Sequence, residues 1–208
     1  MKKLINWLTR SVGVRCLTLF KMNNLVSFNS LYKSFEMDGD KLPSVSKVLS
    51  YGEPEPGAWI IKYAERGTRI HELCDEIDNK VNWLPPDPEH EFEIECYLKA
   101  KKDLGINKAD MIIEHACYHP DYLYQGRIDR IIPEHKMVID IKSGKDNPKN
   151  EMQLNAYVEM YNPNSDHTGW RLVNIHLRKD EYFIKEYPFS DDVFMEFLEK
   201  LGKLRRGE

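Results

Sequence analysis

Hydrophobic positions along the chain follow first one period and then another. Ser30 to Phe35 alternates, Asp38-Gly39 is a hairpin-turn pair, and an apolar run restarts at Leu42-Pro43-Ser44-Val45. A hairpin followed by a short helix through Leu49, capped by Ser44 or Ser46, is expected. Beyond the breaker-rich stretch 52–57, apolar residues fall at Ile60, Ile61, Ala64, Ile70, Leu73, Cys74 and Ile77. That is helical spacing, with an interruption expected at Gly67. Pro85-Pro86-Asp87-Pro88 ends it, and Phe92, Cys96, Ala100 and Leu104 mark a second helix.

From residue 111 the runs shorten and become β-rich: Met111–Tyr118, Tyr122–Ile132 and Met137–Ile141. A helix is expected from about Glu151 to Tyr161, strands near Trp170–Arg178 and Tyr182–Tyr187, and a last helix from about Asp191 to Leu204. The order (helices, three strands, helix, two strands, helix) predicts an α/β fold with a mixed β-sheet flanked by helices.

Composition sharpens this in two places. The chain has 208 residues, 41% of them hydrophobic, which suits one domain over residues 23–208. Its net charge of −4 is uneven: residues 1–35 carry six bases and no acid, leaving −10 for the rest. A DNA coat built on bulk positive charge is therefore excluded, and contact with nucleic acid must come from local patches. Residues 1–22 read as a basic extension, with Met22 as an alternative start or a mitochondrial presequence as the lesser reading. No apolar run approaches the roughly 18 residues of a membrane span, so no membrane partner is expected. Cys16, Cys74, Cys96 and Cys117 form no C-x-x-C pair. They are expected as buried or half-buried thiols in a reducing, cytoplasmic setting.

Candidate chemistry centres on Asp140-Ile141-Lys142. Three acid-x-Lys triplets occur, but only this one ends a buried-type strand. Alternate strand residues share a face, so Asp140 and Lys142 point the same way. Asp129 lies eleven residues upstream in Gly126-Arg127-Ile128-Asp129, the only Gly-x-x-Asp in the chain. A hairpin would bring the two carboxylates together as a hard-oxygen site for Mg²⁺ or Mn²⁺. Gln153 and Tyr157 stand at i and i+4 on the following helix. His71 and Glu114 are the remaining candidates, with a solvated acidic face a competing account of His71. Glu114 is placed to complete a metal shell or to pair with Lys142.

Together these residues resemble the PD-(D/E)XK nuclease superfamily, in its RecB-like branch of phage- and mitochondrial-type exonucleases. The ordered set is Gly67-Thr68-Arg69-Ile70-His71, Glu114, Gly126–Asp129, Asp140–Lys142 and Gln153–Tyr157. Leu42 to Leu49 is similar to the segment before the His helix, with Ser46 where the family usually has Thr. The resemblance spans about residues 40–160 and implies a restriction-endonuclease-like sheet. It also implies a Mg²⁺- or Mn²⁺-dependent phosphodiesterase acting on single-stranded or duplex DNA ends in replication, recombination or repair.

By position, the resemblance gives Asp129, Asp140, the Ile141 carbonyl and His71 to the metal, and assigns water activation to Lys142 with Glu114 in support. Gln153 and Tyr157 would hold the strand. Arg66, Arg69, Arg127, Arg130, Lys145 and Lys149 would supply positive charge along its path. An iron–sulfur cluster is not expected, because no Cys follows Asp140. A helicase, polymerase or recombination protein as partner, and a homo-oligomer, fit the same resemblance. The alternatives are an endonuclease of this fold, a nuclease-fold binding protein without catalysis, and an unrelated metalloprotein.

Overall fold

A computed structural model of the chain describes residues 26–30, 33–54, 57, 59–79, 88–106, 110–178 and 181–208, with backbone alone at 59–62. The basic extension 1–22, Cys16 and the Pro85–Pro88 cluster apart from Pro88 lie outside the described residues. Strands β1 (Val26–Asn29), β2 (Ser34–Met37) and β3 (Asp40–Lys41) form a small antiparallel sheet. The β2–β3 turn is the expected Asp38-Gly39, both with positive φ. Helix α1 (Val45–Ser50) follows, and the Ser44 hydroxyl accepts the Lys47 N–H at 3.2 Å as its cap.

Helices α2 (Trp59–Asp78) and α3 (Glu91–Asp103) precede the main sheet. The interruption expected at Gly67 does not occur: α2 runs through it. The reason is packing, since a Cβ at 67 would sit 3.1 Å from Ser143 Oγ. The glycine lets the helix approach that loop instead of ending the helix.

The main sheet has the order β4 (Ile112–Tyr118), β5 (Gln125–Ile132), β6 (Met137–Lys142), β7 (Arg171–Leu177) and β8 (Tyr182–Pro188). All neighbours are antiparallel except β6 and β7, which are parallel and joined across helix α4 (Lys149–Tyr161). Helix α5 (Asp191–Arg206) closes the chain, with Ser190 as N-cap, acids in the first turn, bases in the last and Gly207 at φ 70° beyond it. The expected start of β5 at Tyr122 is too early. Residues 119–124 form a turn held by His119 N–H to Tyr124 O at 2.8 Å and Leu123 N–H to His119 O at 2.9 Å.

The sheet is thus a mixed, five-stranded layer between two apolar clusters, in agreement with the sequence expectation. One cluster packs α1, α4 and α5 against Ile128, Ile131, Val138 and Leu172. The other packs α2 and α3 against Ile132, Met137, Ile139, Ile141, Val173 and Ile175. Each fully buried Ile or Phe on these faces contributes about 1.5–3 kcal/mol. Within the second cluster lies a buried ion network. Arg130 Nε reaches Asp78 Oδ2 at 2.6 Å, Arg130 Nη2 reaches Asp75 Oδ1 at 2.7 Å, and Lys101 and Tyr97 also bind Asp78. Arg130 is therefore a structural cation, correcting its placement along a DNA path. Arg66 is likewise engaged, by Glu93 and the Ser143 carbonyl.

Candidate active site

Above the β5–β6 ladder lies a cleft of about 1030 Å³, bordered by α2, α4, the start of α1 and the small sheet. Its position follows from how the strands pair. The β5–β6 ladder contains Ile132↔Met137, Ile131↔Val138 and Arg130↔Ile139 and stops there. Asp129 and Asp140 are the next residues on each strand, just where the two cease to share hydrogen bonds.

A second irregularity reinforces the first. Gly126 and Ile128 face α4, whereas Arg130 and Ile132 face α2 and α3, so β5 changes face at Asp129. Across from it on β4 is Glu114, between the pairs Ile113↔Arg130 and His115↔Ile128, with φ 50°. A non-glycine residue in the left-handed region inside a strand is strained, and such strain concentrates at functional sites. Gly126 is required for a different reason: a Cβ there would lie 2.9 Å from both Tyr157 Cε1 and Met160 Cε.

These features bring most of the candidates together. His71 Nδ1 lies 3.4 Å from Asp129 Oδ2, and ligand atoms of His71, Glu114 and Asp129 all fall within 4.8 Å of one another. The same Asp129 oxygen accepts the Ile141 N–H at 2.7 Å. Glu114 pairs with Arg127 at 2.7 Å, not with Lys142. Lys142 Nζ lies 2.8 Å from Asp140 Oδ2 and donates to Gln153 Oε1 at 2.7 Å. Gln153 Nε2 reaches Asp140 Oδ1 at 3.0 Å and the Tyr157 hydroxyl at 2.9 Å. The amide and phenol to which the resemblance assigns the DNA strand are thus engaged with the carboxylate–lysine pair.

Two candidates stand apart. Arg69 does not itself line the cleft but pairs with Glu72, which does, and Lys145 is exposed in the loop beyond β6. Lys149 pairs with Glu53. Lining residues that carry no sequence motif include Lys33 and Lys41 from the small sheet and Tyr63, 65% exposed, on α2. Asn174 on β7, an amide among the mostly apolar residues Leu172–Leu177, is a further site residue outside the sequence motifs. It donates to Asp140 Oδ2 at 3.1 Å.

Burial and the charge of Asp140 push the Asp129 carboxyl well above the usual range. Burial pushes the His71 imidazole down, against the pull of Asp140 and Glu114, which leaves it neutral and free to ligate. Burial also raises the Tyr157 phenol, helped by Asp140 and Asp129. Two crowded carboxylates, a third within reach and a neutral imidazole fit a hard divalent cation, whose charge would offset the burial and repulsion that raise the Asp129 carboxyl.

No family model matches the chain, and no curated protein matches its sequence. Similar solved structures include an alkaline exonuclease (LHK-Exo) from Laribacter hongkongensis at 13% identity, covering 79% of this chain and 86% of that one, with a TM-score of 0.44. LHK-Exo in complex with dAMP is similar at 12% identity, covering 80% and 87%, with a TM-score of 0.43. A third is SSO0001, at 14% identity, covering 65% and 84%, with a TM-score of 0.36.

Proposed function

We propose that the cleft is the active centre of a metal-dependent DNA nuclease of the PD-(D/E)XK type, acting as an exonuclease on DNA ends. The observation that carries this reading is the convergence of His71, Glu114 and Asp129 within ligand distance, with the Asp140–Lys142 pair on the adjoining strand. Residues so far apart in sequence have no packing reason to gather five ionisable groups at one open edge. His71, Glu114, Asp129 and Asp140 would hold Mg²⁺ or Mn²⁺. The ion's chemistry is to lower the pKa of a bound water and to stabilise charge on the phosphate oxygens.

This chain's own groups supply the rest. Lys142, anchored by Asp140 and Gln153, presents an ammonium to the water's approach and offsets the negative charge that grows on the phosphate. Arg127, Lys33 and Lys41 border the cleft as cations for the strand's other phosphates. Neutral His71 ligates without adding charge.

Purified protein with Mg²⁺ or Mn²⁺ is expected to degrade labelled linear DNA, and Asp140→Ala or Lys142→Ala to remove at least about a thousandfold of that rate. Activity that survives both substitutions would overturn the site. Cutting of closed circles as fast as linear strands would assign endonuclease action instead. Binding of DNA without hydrolysis in either metal would leave a nuclease-fold binding protein.

A further inference from the structure

Asp140 is held by three donors, and one comes from a strand that contributes nothing else to the motif set. Strand β7 reads Arg171-Leu172-Val173-Asn174-Ile175-His176-Leu177 and is buried throughout after Arg171. The parallel ladder sets Asn174 beside Asp140, as it sets Ile139 beside Val173 and Ile141 beside Ile175. Asn174 Nδ2 donates to Asp140 Oδ2 at 3.1 Å and lies 3.4 Å from the Asp140 carbonyl. Its own Oδ1 is buried without a hydrogen-bond partner.

An amide at the centre of a sheet, with one end unsatisfied, is a poor choice for stability: an apolar side chain of the same size would leave nothing orphaned. What the amide supplies is direction. Lys142 and Gln153 reach Asp140 through long side chains at the cleft's edge, and Lys142 shares Oδ2 with Asn174. Asn174 is short, fully buried and fixed by backbone pairing on both sides. It is the one donor whose place does not depend on what occupies the cleft.

We propose that Asn174 is a positioning residue for the nuclease reaction, fixing the Asp140 carboxylate in the orientation that the metal and Lys142 require; this rests on the nuclease reading above. Outer-shell donors of this kind set the geometry of ligands they hold, and their loss weakens metal affinity or activity by about 10–100-fold.

The test is Asn174→Leu, with Mn²⁺ affinity measured calorimetrically without DNA, steady-state hydrolysis of linear DNA, and thermal melting. The expected variant melts at or above the wild-type temperature, keeps its KM, and loses about 10–100-fold in both kcat and Mn²⁺ affinity. In an Asp140→Asn background the same substitution is expected to weaken Mn²⁺ binding no further. Wild-type kcat and Mn²⁺ affinity in folded Asn174→Leu would overturn the proposal, as would full additivity with Asp140→Asn. Asn174→Ala, which empties the position instead of filling it, carries the same measurements should Asn174→Leu not fold. The metal titration needs no substrate. A wild type that binds Mn²⁺ but hydrolyses no DNA would defeat the nuclease reading while the titration still decides the role of Asn174.

Discussion

One carboxylate oxygen of Asp129 accepts the Ile141 N–H at 2.7 Å, across two strands whose ladder has already ended. The side chain replaces the missing backbone partner, so the opening between β5 and β6 is closed by a group that is itself a candidate ligand. Asp129 consequently serves fold and site together, and its charge is a liability until a cation arrives.

That liability has a sign. A carboxyl whose pKa is raised by folding contributes stability that is present below its unfolded value of about 3.9 and lost as pH rises through the folded value. In chelator, the unfolding free energy of Asp129→Asn should therefore gain on wild type as pH rises from about 4. His71, shifted down, works oppositely: its contribution is present above about 6.5 and lost as pH falls. Because His71 Nδ1 lies 3.4 Å from Asp129, the comparison is made below about pH 6, and His71→Ala in both backgrounds separates the two titrations. Urea titrations across the range check this, and a pH-independent difference would contradict it. Mn²⁺ binding should release protons at pH values below the raised Asp129 value and cease to do so above it, read by calorimetry in two buffers across the pH range.

Glu114 offers a reversal of the usual order of substitutions. Glycine in a strand is ordinarily about 0.5–1 kcal/mol worse than alanine. At φ 50° the left-handed backbone costs a non-glycine residue about 1–2 kcal/mol. Glu114→Gly should thus be more stable than Glu114→Ala by up to about 1 kcal/mol, with both variants weakened in Mn²⁺ binding. Chemical denaturation of the pair is the measurement.

Gly126→Ala should lose about 1–3 kcal/mol, because the new methyl group meets Tyr157 and Met160 at 2.9 Å. Shortening Met160 to alanine in the same chain should recover part of that loss. If Gly126→Ala alone is neutral, the close approach of α4 to β5 is not what requires glycine.

Two arginines separate structure from surface. Arg130→Met leaves Asp78 buried and short of a partner, and should cost about 3–5 kcal/mol. Arg69→Ala, which breaks an exposed i,i+3 pair, should stay within about 0.5 kcal/mol of wild type. Melting curves distinguish them directly.

The sequence exposed the elements well where one period dominates. Strand β6 begins at Met137 and α5 at Asp191, as the β-rich apolar run and the acidic first turn indicate. It exposed less where tertiary contact overrides local signals. Gly67 reads as a breaker, but its meaning lies in Ser143, far along the chain. Arg130 reads as one more surface base, and only the fold reveals the two aspartates beneath it. The motif residues were legible as an ordered set. The change of face at Asp129 was not, since simple alternation puts Ile128 and Arg130 on one side of the sheet. Asn174 stands out in its strand as an amide, but nothing in the sequence pairs it with Asp140 until β6 and β7 lie in register.

That parallel register also bears on the order in which the site assembles. β4, β5 and β6 follow one another through short connections, so Glu114, Asp129 and Asp140 come together by local pairing. β7 enters only after α4 has crossed the sheet, and β8 only after β7. Pairings across long loops close slowly, because chain entropy is lost before contacts compensate for it. During synthesis, then, a chain ending before β7 holds its acids but lacks the neighbour that aligns Asp140. The site is thus assembled in two stages, acids first and the amide that orients Asp140 afterwards.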